Sequence, residues 1–500
     1  MILKPSLADL KTVGYYLGKI IIGIGMSMLL PLASAAACGE LNPAYDFIIA
    51  FLICIIIGKF LILLCFSEKN LNWAQGMVVV SLAWLAVSLF GAIPFYLSGH
   101  WGSYLDCVFD AMSGFATTGL TLVQDLDHIS RAVNLWRHLI MFIGGQGVVV
   151  LALSFLVRGS AGAFRMYVGE GRDEKILPNV VETSRFIWIV SIVYFILGTL
   201  VLAIVGRLEG MSWLNSFFHG ACIFMAAFDT GGFAPQSQNI LYYHSLSYEI
   251  VTMVIMILGS LNFKLHYTLW LQSKKELTKN IETRAFFMTI MLTFFLVAVG
   301  LAKSGVYPGV LGLFRKGFYQ LISGHTGTGY QTIYARQFIH EWGDFALAAL
   351  IVAMGLGGGV CSTTGGIKML RIGVVFKALY NDVKRIMLPE SAVFIEKYHH
   401  IKEMILQDRQ VRSAMLILLC YLGLYAIGGI IGMLLGYPAL EAFFESTSSA
   451  ANVGLSCGIT KASMPALLKL TYIAQMWIGR LEFMSIFTLV GFFAAFVRGK

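Results

Sequence analysis

The segment Ser323–Tyr330 reads SGHTGTGY, and this polar, glycine-rich stretch lies among strongly apolar residues. A lipid bilayer offers such a backbone no hydrogen-bond partner. At membrane depth the segment is therefore stable only inside protein or along a watery cavity. The stretch predicts a membrane protein whose interior holds a polar element.

The same pattern occurs four times in the chain. In every copy a serine or alanine precedes a glycine by six residues: Ser113…Gly119, Ala226…Gly232, Ser323…Gly329 and Ser448…Gly454. The residue four positions earlier is aromatic in three copies and cysteine in the second: Phe109, Cys222, Tyr319 and Phe444. Four copies of one element suggest four walls around one axis, so a pore is the first hypothesis.

The composition supports a membrane protein. The chain has 500 residues, of which 58% are hydrophobic and 13% charged, with a mean hydropathy of +0.77. Soluble domains carry roughly 25% charged residues. The eight cysteines are scattered without metal-binding spacing, so we interpret them as small packing residues.

The distribution of charge predicts an orientation. A net charge of +9 suits nucleic acid or anionic lipid. Basic residues cluster in the loops 158–175, 274–284 and 384–412, whereas 38–46 and 235–249 contain none. The positive-inside rule places the basic loops and both termini in the cytoplasm, so we expect contact with membrane lipid and not with nucleic acid.

The pattern of apolar runs divides the chain into a hairpin and four units. Residues 1–70 predict two antiparallel spans without the repeated element. The four units are 71–170, 171–275, 276–385 and 386–500. Each unit contains an apolar span, a short helix, a glycine turn and a return span. We therefore predict an all-α integral membrane fold of ten full spans and four half-crossing helices around one pore.

The return spans carry a second repeat. They are predicted at Arg137–Val157, at Tyr248–Trp270, from Phe345 onward with an interruption, and at Leu467–Val497. Each contains Met-x-x-Gly: Met141…Gly144, Met256…Gly259, Met354…Gly357 and Met476…Gly479. These glycines follow the turn glycines by 25, 27, 28 and 25 residues. Glycine in membrane helices often serves close packing alone, but two motifs in one register favour a true repeat.

The glycine turns suit a path for cations. Inward-facing carbonyl oxygens can replace the hydration shell of a cation, and glycine permits the backbone angles that this requires. A short helix ending at each turn would add the partial negative charge of its C-terminus. Threonine hydroxyls in the turns either add ligands or fix the turn locally. The predicted cation ligands are Thr117, Thr118, Gly119, Thr230, Gly231, Gly232, Gly327, Thr328, Gly329, Asn452, Val453 and Gly454.

Two further features predict a gate. The run Gly355–Gly366 is too rich in glycine and small hydroxyl residues to stay helical, and it lacks the phosphate-loop pattern. Arg480 lies about 20 Å into the last span, where Glu482 is a poor intrahelical partner. It acts either as a barrier in the path or as half of a structural pair. The predicted gate residues are Gly357, Gly358, Gly359, Ser362, Thr363, Gly365, Gly366 and Arg480.

Carboxylates near the turns allow two interpretations. They can attract cations at a rim, or they can cap helices and face water. We assign no individual role to Asp110, Asp125, Asp127, Asp229, Glu441 or Glu445.

With these motifs, residues 70–500 resemble the Trk/Ktr/HKT superfamily of potassium transporters, and the two extra N-terminal spans resemble its Trk branch. The most specific motifs are Gly365-Gly366-Ile367-Lys368-x-x-Arg371 and Met476-x-x-Gly479-Arg480-Leu481-Glu482. The resemblance implies a selectivity filter near the outer face, an intramembrane gate and an arginine in the pore. It also implies potassium as the transported ion, a homodimer in the bacterial inner membrane, and a cytosolic regulatory subunit that binds a nucleotide of the NAD or ATP type.

Some features leave alternatives open. The second unit differs from the others at Cys222 and Asp229. Glycine at all four filter positions favours potassium, since serine at the first accompanies sodium transport in the HKT branch. A sodium or sodium–potassium carrier on the same fold is the alternative, and coupling to protons or sodium is undecided. An intramembrane enzyme is disfavoured because no nucleophile or metal motif occurs.

Overall fold

The computed structural model describes residues 5–67, 69–148, 150, 160–170, 179–389 and 396–498, with the backbone alone at 160–163. Within these ranges the secondary-structure elements are helices and one two-stranded hairpin. The end of the return span Arg137–Val157 falls largely outside the described residues, as do residues 158–159 and 171–175 of the predicted basic loop 158–175.

The N-terminal region forms the predicted hairpin. Its helices are α1 (Leu7–Ser27), α2 (Leu29–Cys38) and α3 (Leu41–Leu64). Gly18 and Gly58 bring α1 and α3 into close contact, because a Cβ on Gly18 would lie 2.7 Å from the Gly58 carbonyl oxygen.

The hairpin is joined to the first unit by a helix cap. The carboxylate of Glu40 accepts hydrogen bonds from the backbone N–H groups of Arg131 (2.9 Å) and Ala132 (3.1 Å). These groups belong to the first turn of a helix, where backbone donors have no intrahelical partner. Glu40 therefore fixes the loop of the hairpin against the core.

The first two units contain a long entry helix, a short helix and a shorter return helix. Unit one has α4 (Trp73–Gly91), α5 (Ile93–Leu97), α6 (Tyr104–Phe115), α7 (Arg131–Gln146) and α8 (Ser160–Gly169). Unit two has α9 (Val180–Leu208), α10 (Trp213–Phe228), a 3₁₀ turn (Asn239–Tyr243), α11 (Leu246–Ser260), α12 (Phe263–Leu271) and α13 (Glu276–Lys279). Serine caps begin both short helices: Ser103 accepts from the N–H of Asp106, and Ser212 from that of Asn215.

The last two units follow the same order. Unit three has α14 (Ile281–Ser304), α15 (Val310–Gly312), a π-helical stretch (Leu313–Phe318), α16 (Tyr319–His325), α17 (Gln337–His340), α18 (Gly343–Gly355) and α19 (Met369–Ile386). Strands β1 (Lys397–His400) and β2 (Lys402–Ile405) then form an antiparallel hairpin. Unit four has α20 (Asp408–Leu434), α21 (Ala439–Ala450), α22 (Ala466–Leu481) and α23 (Met484–Arg498).

The return helices are not continuous, and this corrects the sequence-based prediction for units two and four. The chain turns by 100° between α11 and α12 and by 109° between α22 and α23. Glu482 and Phe483 adopt positive φ angles of 54° and 73° at the second break, which a helix cannot contain. By length and composition, six helices in the described ranges can cross a membrane, or up to eight with each bent pair as one span.

The Met-x-x-Gly glycines set the distance between return helices and short helices. A Cβ on Gly144, Gly259 or Gly479 would overlap the carbonyl oxygen of Phe115, Phe228 or Ala450, respectively. These carbonyl groups belong to the last residues of α6, α10 and α21. In units one, two and four the return helix therefore contacts the C-terminus of the short helix, backbone to backbone.

The β-hairpin carries an ion-pair cluster outside the membrane-spanning segments. His399 lies between two carboxylates, with Nε2 2.9 Å from Glu276 and Nδ1 3.0 Å from Glu403. The hydrogen bond to Glu276, supported by that to Glu403, raises the pKa of His399 above its ordinary value. When protonated, the imidazole joins the hairpin to α13 by its ion pair with Glu276.

We expect substitution of the return-span glycines to destabilise the protein. Gly259→Ala forces a methyl group into the Phe228 carbonyl, and such overpacking costs about 1–3 kcal/mol. Gly423→Ala in α20 is the matched control, because its added Cβ meets no atom within 4 Å. Thermal melting of the purified proteins in detergent should show a lower midpoint for the first variant only; equal midpoints would contradict this packing.

We also expect the β-hairpin to loosen as pH rises. A raised pKa means that the charged form of His399 stabilises the folded state below about pH 6.5, and that this contribution is lost as pH rises through the folded pKa. Hydrogen exchange of residues 397–405, corrected for intrinsic rates, should be faster at pH 8 than at pH 6. His399→Gln should remove the difference, and equal protection of the parent protein at both values would refute the assignment.

Candidate functional site

Each glycine turn begins with the same hydrogen bond. The N–H of its second residue donates to the carbonyl of the serine or alanine five positions earlier. The pairs are Thr118–Ser113 (2.8 Å), Gly231–Ala226 (2.8 Å), Thr328–Ser323 (2.9 Å) and Val453–Ser448 (2.8 Å). The repeated spacing found in the sequence thus corresponds to one repeated backbone geometry.

The backbone of the turns is left-handed at two positions. The third residue is glycine in all four, with φ of 91° at Gly119, 71° at Gly232, 85° at Gly329 and 90° at Gly454. The first residue also has positive φ: 51° at Thr117, 50° at Thr230, 72° at Gly327 and 55° at Asn452. For threonine this conformation is unfavourable and persists only where the surroundings enforce it.

The four turns form a closed cycle of contacts. In each turn a Cβ on the third-position glycine would overlap the carbonyl oxygen of the central residue in the next turn. The contacts run from Gly119 to Gly231, from Gly232 to Thr328, from Gly329 to Val453 and from Gly454 back to Thr118. Segments that touch in cyclic order surround one axis, so the structure brings together all twelve residues predicted as ligands.

The side chains of the first residues lie at one face of this ring. Asn452 Nδ2 donates to Thr118 Oγ1 (3.1 Å) and to the carbonyl oxygen of Met476 (3.0 Å). Thr117 and Thr230 present their hydroxyl groups to Thr363, as described below. Thr328, the second residue of its turn, bonds locally, because its hydroxyl lies 2.8 Å from that of Thr326 just before the turn. The hydroxyl groups therefore fix the turns and join them to neighbouring segments.

The run Gly355–Gly366 forms a non-helical loop between α18 and α19. The N–H of Gly357 donates to the Ile367 carbonyl (2.8 Å), which folds the loop back on itself. The N–H of Gly359 donates to the Ser260 carbonyl (2.8 Å) at the break of the second return span. A Cβ on Gly357 would overlap the Gly365 carbonyl, so the two arms of the loop are in direct backbone contact.

The loop contacts all four turns from the face of their first residues. Thr363 Oγ1 lies 3.2 Å from Thr230 Oγ1, and Thr117 Oγ1 donates to the Thr363 carbonyl (3.4 Å). A Cβ on Gly365 would come within 2.6 Å of Asn452 Oδ1, and one on Gly327 would lie 4.0 Å from the Thr364 Cβ. The predicted gate segment thus covers one end of the ring.

Thr363 is the anchor of the loop. Its hydroxyl lies within hydrogen-bond distance of the Phe228 carbonyl (3.0 Å) and the Gly259 carbonyl (2.9 Å). In unit two the absence of a side chain at Gly259 lets the return helix approach the Phe228 carbonyl, and Thr363 binds at this contact. Thr363 is fully buried, so these hydrogen bonds are protected from water.

Arg480 joins the loop, the first turn and the first return helix. Its Nη1 donates to Thr117 Oγ1 (3.1 Å) and to the Thr363 carbonyl, and its Nη2 donates to the Gly144 carbonyl (2.7 Å). The side chain is 8% exposed, and its guanidinium carbon lies 5.7 Å from the ring centroid of Trp84. The charge of Arg480 is therefore held by backbone and hydroxyl oxygens at the junction of ring and loop.

Both basic residues that follow the loop, Lys368 and Arg371, have partners within the protein. Lys368 is 5% exposed, and its Nζ donates to the Thr364 carbonyl. Arg371 pairs with Glu482, which occupies the break between α22 and α23. Beside the loop, Lys368 and Glu482 are therefore buried, and Arg371 is partly buried.

The loop has a second anchor that the sequence patterns did not predict. Glu282, 4% exposed, accepts hydrogen bonds from the N–H of Val360 and from Asn262 Nδ2 (3.3 Å). The only available signal was an acidic residue in the first turn of a predicted helix, which is a common capping position. Its contact with a loop about 80 residues later depends on the tertiary structure.

The unassigned carboxylates fall into different environments. Asp125 and Asp127 lie in an exposed loop, bonded to His128 and Ser237. Buried Asp229 accepts from Gln146 Nε2 (2.7 Å). Asp110 and Glu445 are fully buried on α6 and α21 and bind the chain that follows the turns. Glu441, partly buried, lies one helical turn before Glu445 on α21.

Comparison with known proteins identifies the family to which this architecture belongs. The model of the TrkH family, described as cation transport protein, matches residues 44–493. An uncharacterized cation transporter of Methanocaldococcus jannaschii is 32% identical over 481 residues, which cover 96% of this chain and 95% of that protein. The Trk system potassium uptake protein TrkG of Escherichia coli is 27% identical and covers 97% and 99% of the two chains.

A solved structure shows the same fold. The crystal structure of the potassium transporter TrkH from Vibrio parahaemolyticus superimposes with a TM-score of 0.78 at 24% identity, over 96% of this chain and 98% of that one. The fold and the family match define a multi-pass membrane protein of the cation transport class. The chain belongs to the TrkH family. This confirms the resemblance to the Trk branch and the all-α membrane fold predicted from the sequence.

Proposed function

We propose that this chain takes up potassium across the cytoplasmic membrane through the ring of four glycine turns, which acts as a selectivity filter. The closed cycle of contacts from Gly119 around to Thr118 carries this proposal, because it encloses one axis with backbone carbonyl groups. Potassium is the transported ion. Relatives named as Trk system potassium uptake proteins support this choice of ion.

The loop Gly355–Gly366 and Arg480 are proposed as the gate. The loop contacts every turn from one face, and Arg480 places a positive charge at the same point. A fixed cation opposes the passage of another, since water at this depth is scarce and charges are poorly screened. Opening the path therefore requires the loop and the arginine to move.

The membrane potential is proposed as the main driving force. Moving one charge through 100 mV corresponds to about 2.3 kcal/mol, which concentrates a cation without any chemical step. Symport with protons or sodium is compatible with this arrangement. The proposal does not specify a coupling ion. We assign no catalytic activity to a chain whose family is defined by cation transport.

The surroundings of the protein are proposed from the resemblance and the charge pattern. The chain lies in a bacterial-type inner membrane with both termini in the cytoplasm. It forms a homodimer and binds a cytosolic nucleotide-binding regulatory subunit. The division into units 71–170, 171–275, 276–385 and 386–500 stays a prediction. It is supported by the repeat of turn and return-span contacts in the structure.

The test of function is uptake. Expression in a bacterial host without potassium uptake systems should restore growth at low potassium, and the purified protein in vesicles should conduct potassium in preference to sodium. Sodium-only currents would instead establish the sodium carrier alternative. Absence of any cation flux from folded protein would refute the proposal.

Gly329→Ser should weaken the preference for potassium. The added side chain overlaps the Val453 carbonyl and displaces it from the ring, while the φ of 85° strains any residue other than glycine. We expect the potassium-to-sodium permeability ratio in vesicles to fall by about tenfold or more, the equivalent of 1.4 kcal/mol in discrimination. Gly343→Ser is the control, since that glycine also has positive φ but its Cβ meets no atom within 4 Å. Unchanged ratios in Gly329→Ser would remove the filter assignment.

Arg480→Ala should raise basal potassium flux. The change removes the charge at the junction and the bonds to Thr117, Thr363 and Gly144 that hold the loop under the ring. Arg480→Lys keeps the charge but loses the forked geometry, so we expect a smaller increase. Flux into vesicles that contain no regulatory subunit is the measurement. Parent-like flux in both variants would speak against the gate.

A further inference from the structure

Three of the short helices carry a buried polar side chain at the same position. The residue three before the repeated serine is Asp110 on α6, Gln320 on α16 and Glu445 on α21. All three side chains are 0% exposed. A buried polar group at one position in three units calls for a common partner, because an unpaired one is costly.

The partner is the segment that follows each turn. Asp110 accepts from Thr121 Oγ1 (2.6 Å) and from the N–H of Leu122 (2.7 Å). These residues come two and three positions after the turn glycine. The bonds therefore hold the outgoing end of turn one against the helix that leads into it.

Units three and four repeat the contact in the same register. Gln320 Nε2 donates to Thr332 Oγ1 (3.0 Å), three positions after Gly329. Glu445 accepts from Ser456 Oγ (2.6 Å) and from the N–H of Cys457 (3.0 Å), two and three positions after Gly454. A hydrogen bond that recurs at one offset in three units is a feature of the repeat, although the three side chains differ in charge.

In unit two, different residues hold the segment that follows the turn. Its equivalent position is Ile223, whose side chain cannot accept a hydrogen bond. Instead, Asn239 Nδ2 donates to the Gly232 carbonyl (3.2 Å), and Arg137 Nη1 donates to the Ala234 carbonyl (3.3 Å). Arg137 Nη2 also donates to Thr121 Oγ1 (3.4 Å), so it joins the outgoing segments of units one and two.

We propose that Asp110, Gln320 and Glu445 are positioning residues that set the selectivity of the filter by fixing the outgoing end of three turns. The inference rests on the proposed function of the ring. A site that discriminates ions by backbone carbonyls needs those carbonyls held to within about 0.5 Å, and buried hydrogen bonds from the supporting layer provide that constraint. The ions themselves meet only the turns.

The variants separate position from charge. Glu445→Ala removes the contact with Ser456 and Cys457, whereas Glu445→Gln keeps an oxygen that can accept from them. Thr121→Val removes the hydroxyl that Asp110 binds in unit one and leaves every charge in place. Glu441→Gln is the matched control. It removes one negative charge one turn away on the same helix, and the side chain of Glu441 makes no hydrogen bond to the outgoing segment within the described residues.

The measurement is the potassium-to-sodium permeability ratio of each variant in vesicles, with the maximal potassium flux recorded beside it. We expect the ratio to fall by about tenfold in Thr121→Val, the change that loss of one hydrogen bond to a charged group corresponds to. In Glu445→Ala we expect a fall of about tenfold or more, because Glu445 accepts several hydrogen bonds. The permeability ratio should fall less in Glu445→Gln. Maximal potassium flux should stay within about twofold in all of them, and Glu441→Gln should match the parent.

Several outcomes would overturn the proposal. Parent-like ratios in both Glu445→Ala and Thr121→Val would show that the contacts only stabilise the fold. An equal fall of the permeability ratio in Glu441→Gln would show that the effect comes from the loss of a negative charge on α21 and not from the hydrogen bonds of Glu445. If Glu445→Ala does not yield folded protein, Thr121→Val decides alone. A parent protein without potassium-selective flux would instead refute the proposed function, and the two failures are thereby distinguished.

Discussion

The structure depends on backbone contacts between neighbouring turns. A non-helical segment inside a membrane must be enclosed by protein, and here each turn is enclosed by the next one. Gly119, Gly232, Gly329 and Gly454 each leave room for a carbonyl group of the following turn, so the ring closes only when all four segments are present. This explains why one chain carries four copies of the same element, whose individual copies would expose polar backbone to lipid.

The return helices extend this constraint outward. In units one, two and four the glycine of Met-x-x-Gly lies on the terminal carbonyl of the short helix, which fixes where that helix ends. In unit three the equivalent residue, Gly357, lies on the carbonyl of Gly365 in the loop. Unit three thus has a loop that reaches the ring where the other three units have a contact with the short helix. This local exception to the repeat creates the segment proposed as the gate.

Charge is concentrated where the repeat is broken. Arg480, Lys368 and Arg371 surround the loop, and Glu482 and Glu282 bind neighbouring groups from two different helices. Charged groups this deep are unfavourable unless they are paired or bonded, so their presence marks a region shaped by function. The ring itself is lined by uncharged turns. The structure therefore separates the proposed selection of ions from the proposed control of their passage.

The sequence by itself determined the class of the protein, the position of the four turns and the register of both repeats, because spacing and hydropathy are local properties of the chain. The short helix Trp213–Phe228 is an apolar run between a serine cap and a polar turn, so local sequence defines both of its ends. Tertiary structure decided the rest. Positive φ at Thr117 and Thr230, the bends after Ser260 and Leu481, and the anchoring of the loop by Glu282 all depend on residues far away in the chain. No local propensity specifies them, because each is unfavourable until the surrounding segments supply the contact that compensates for it.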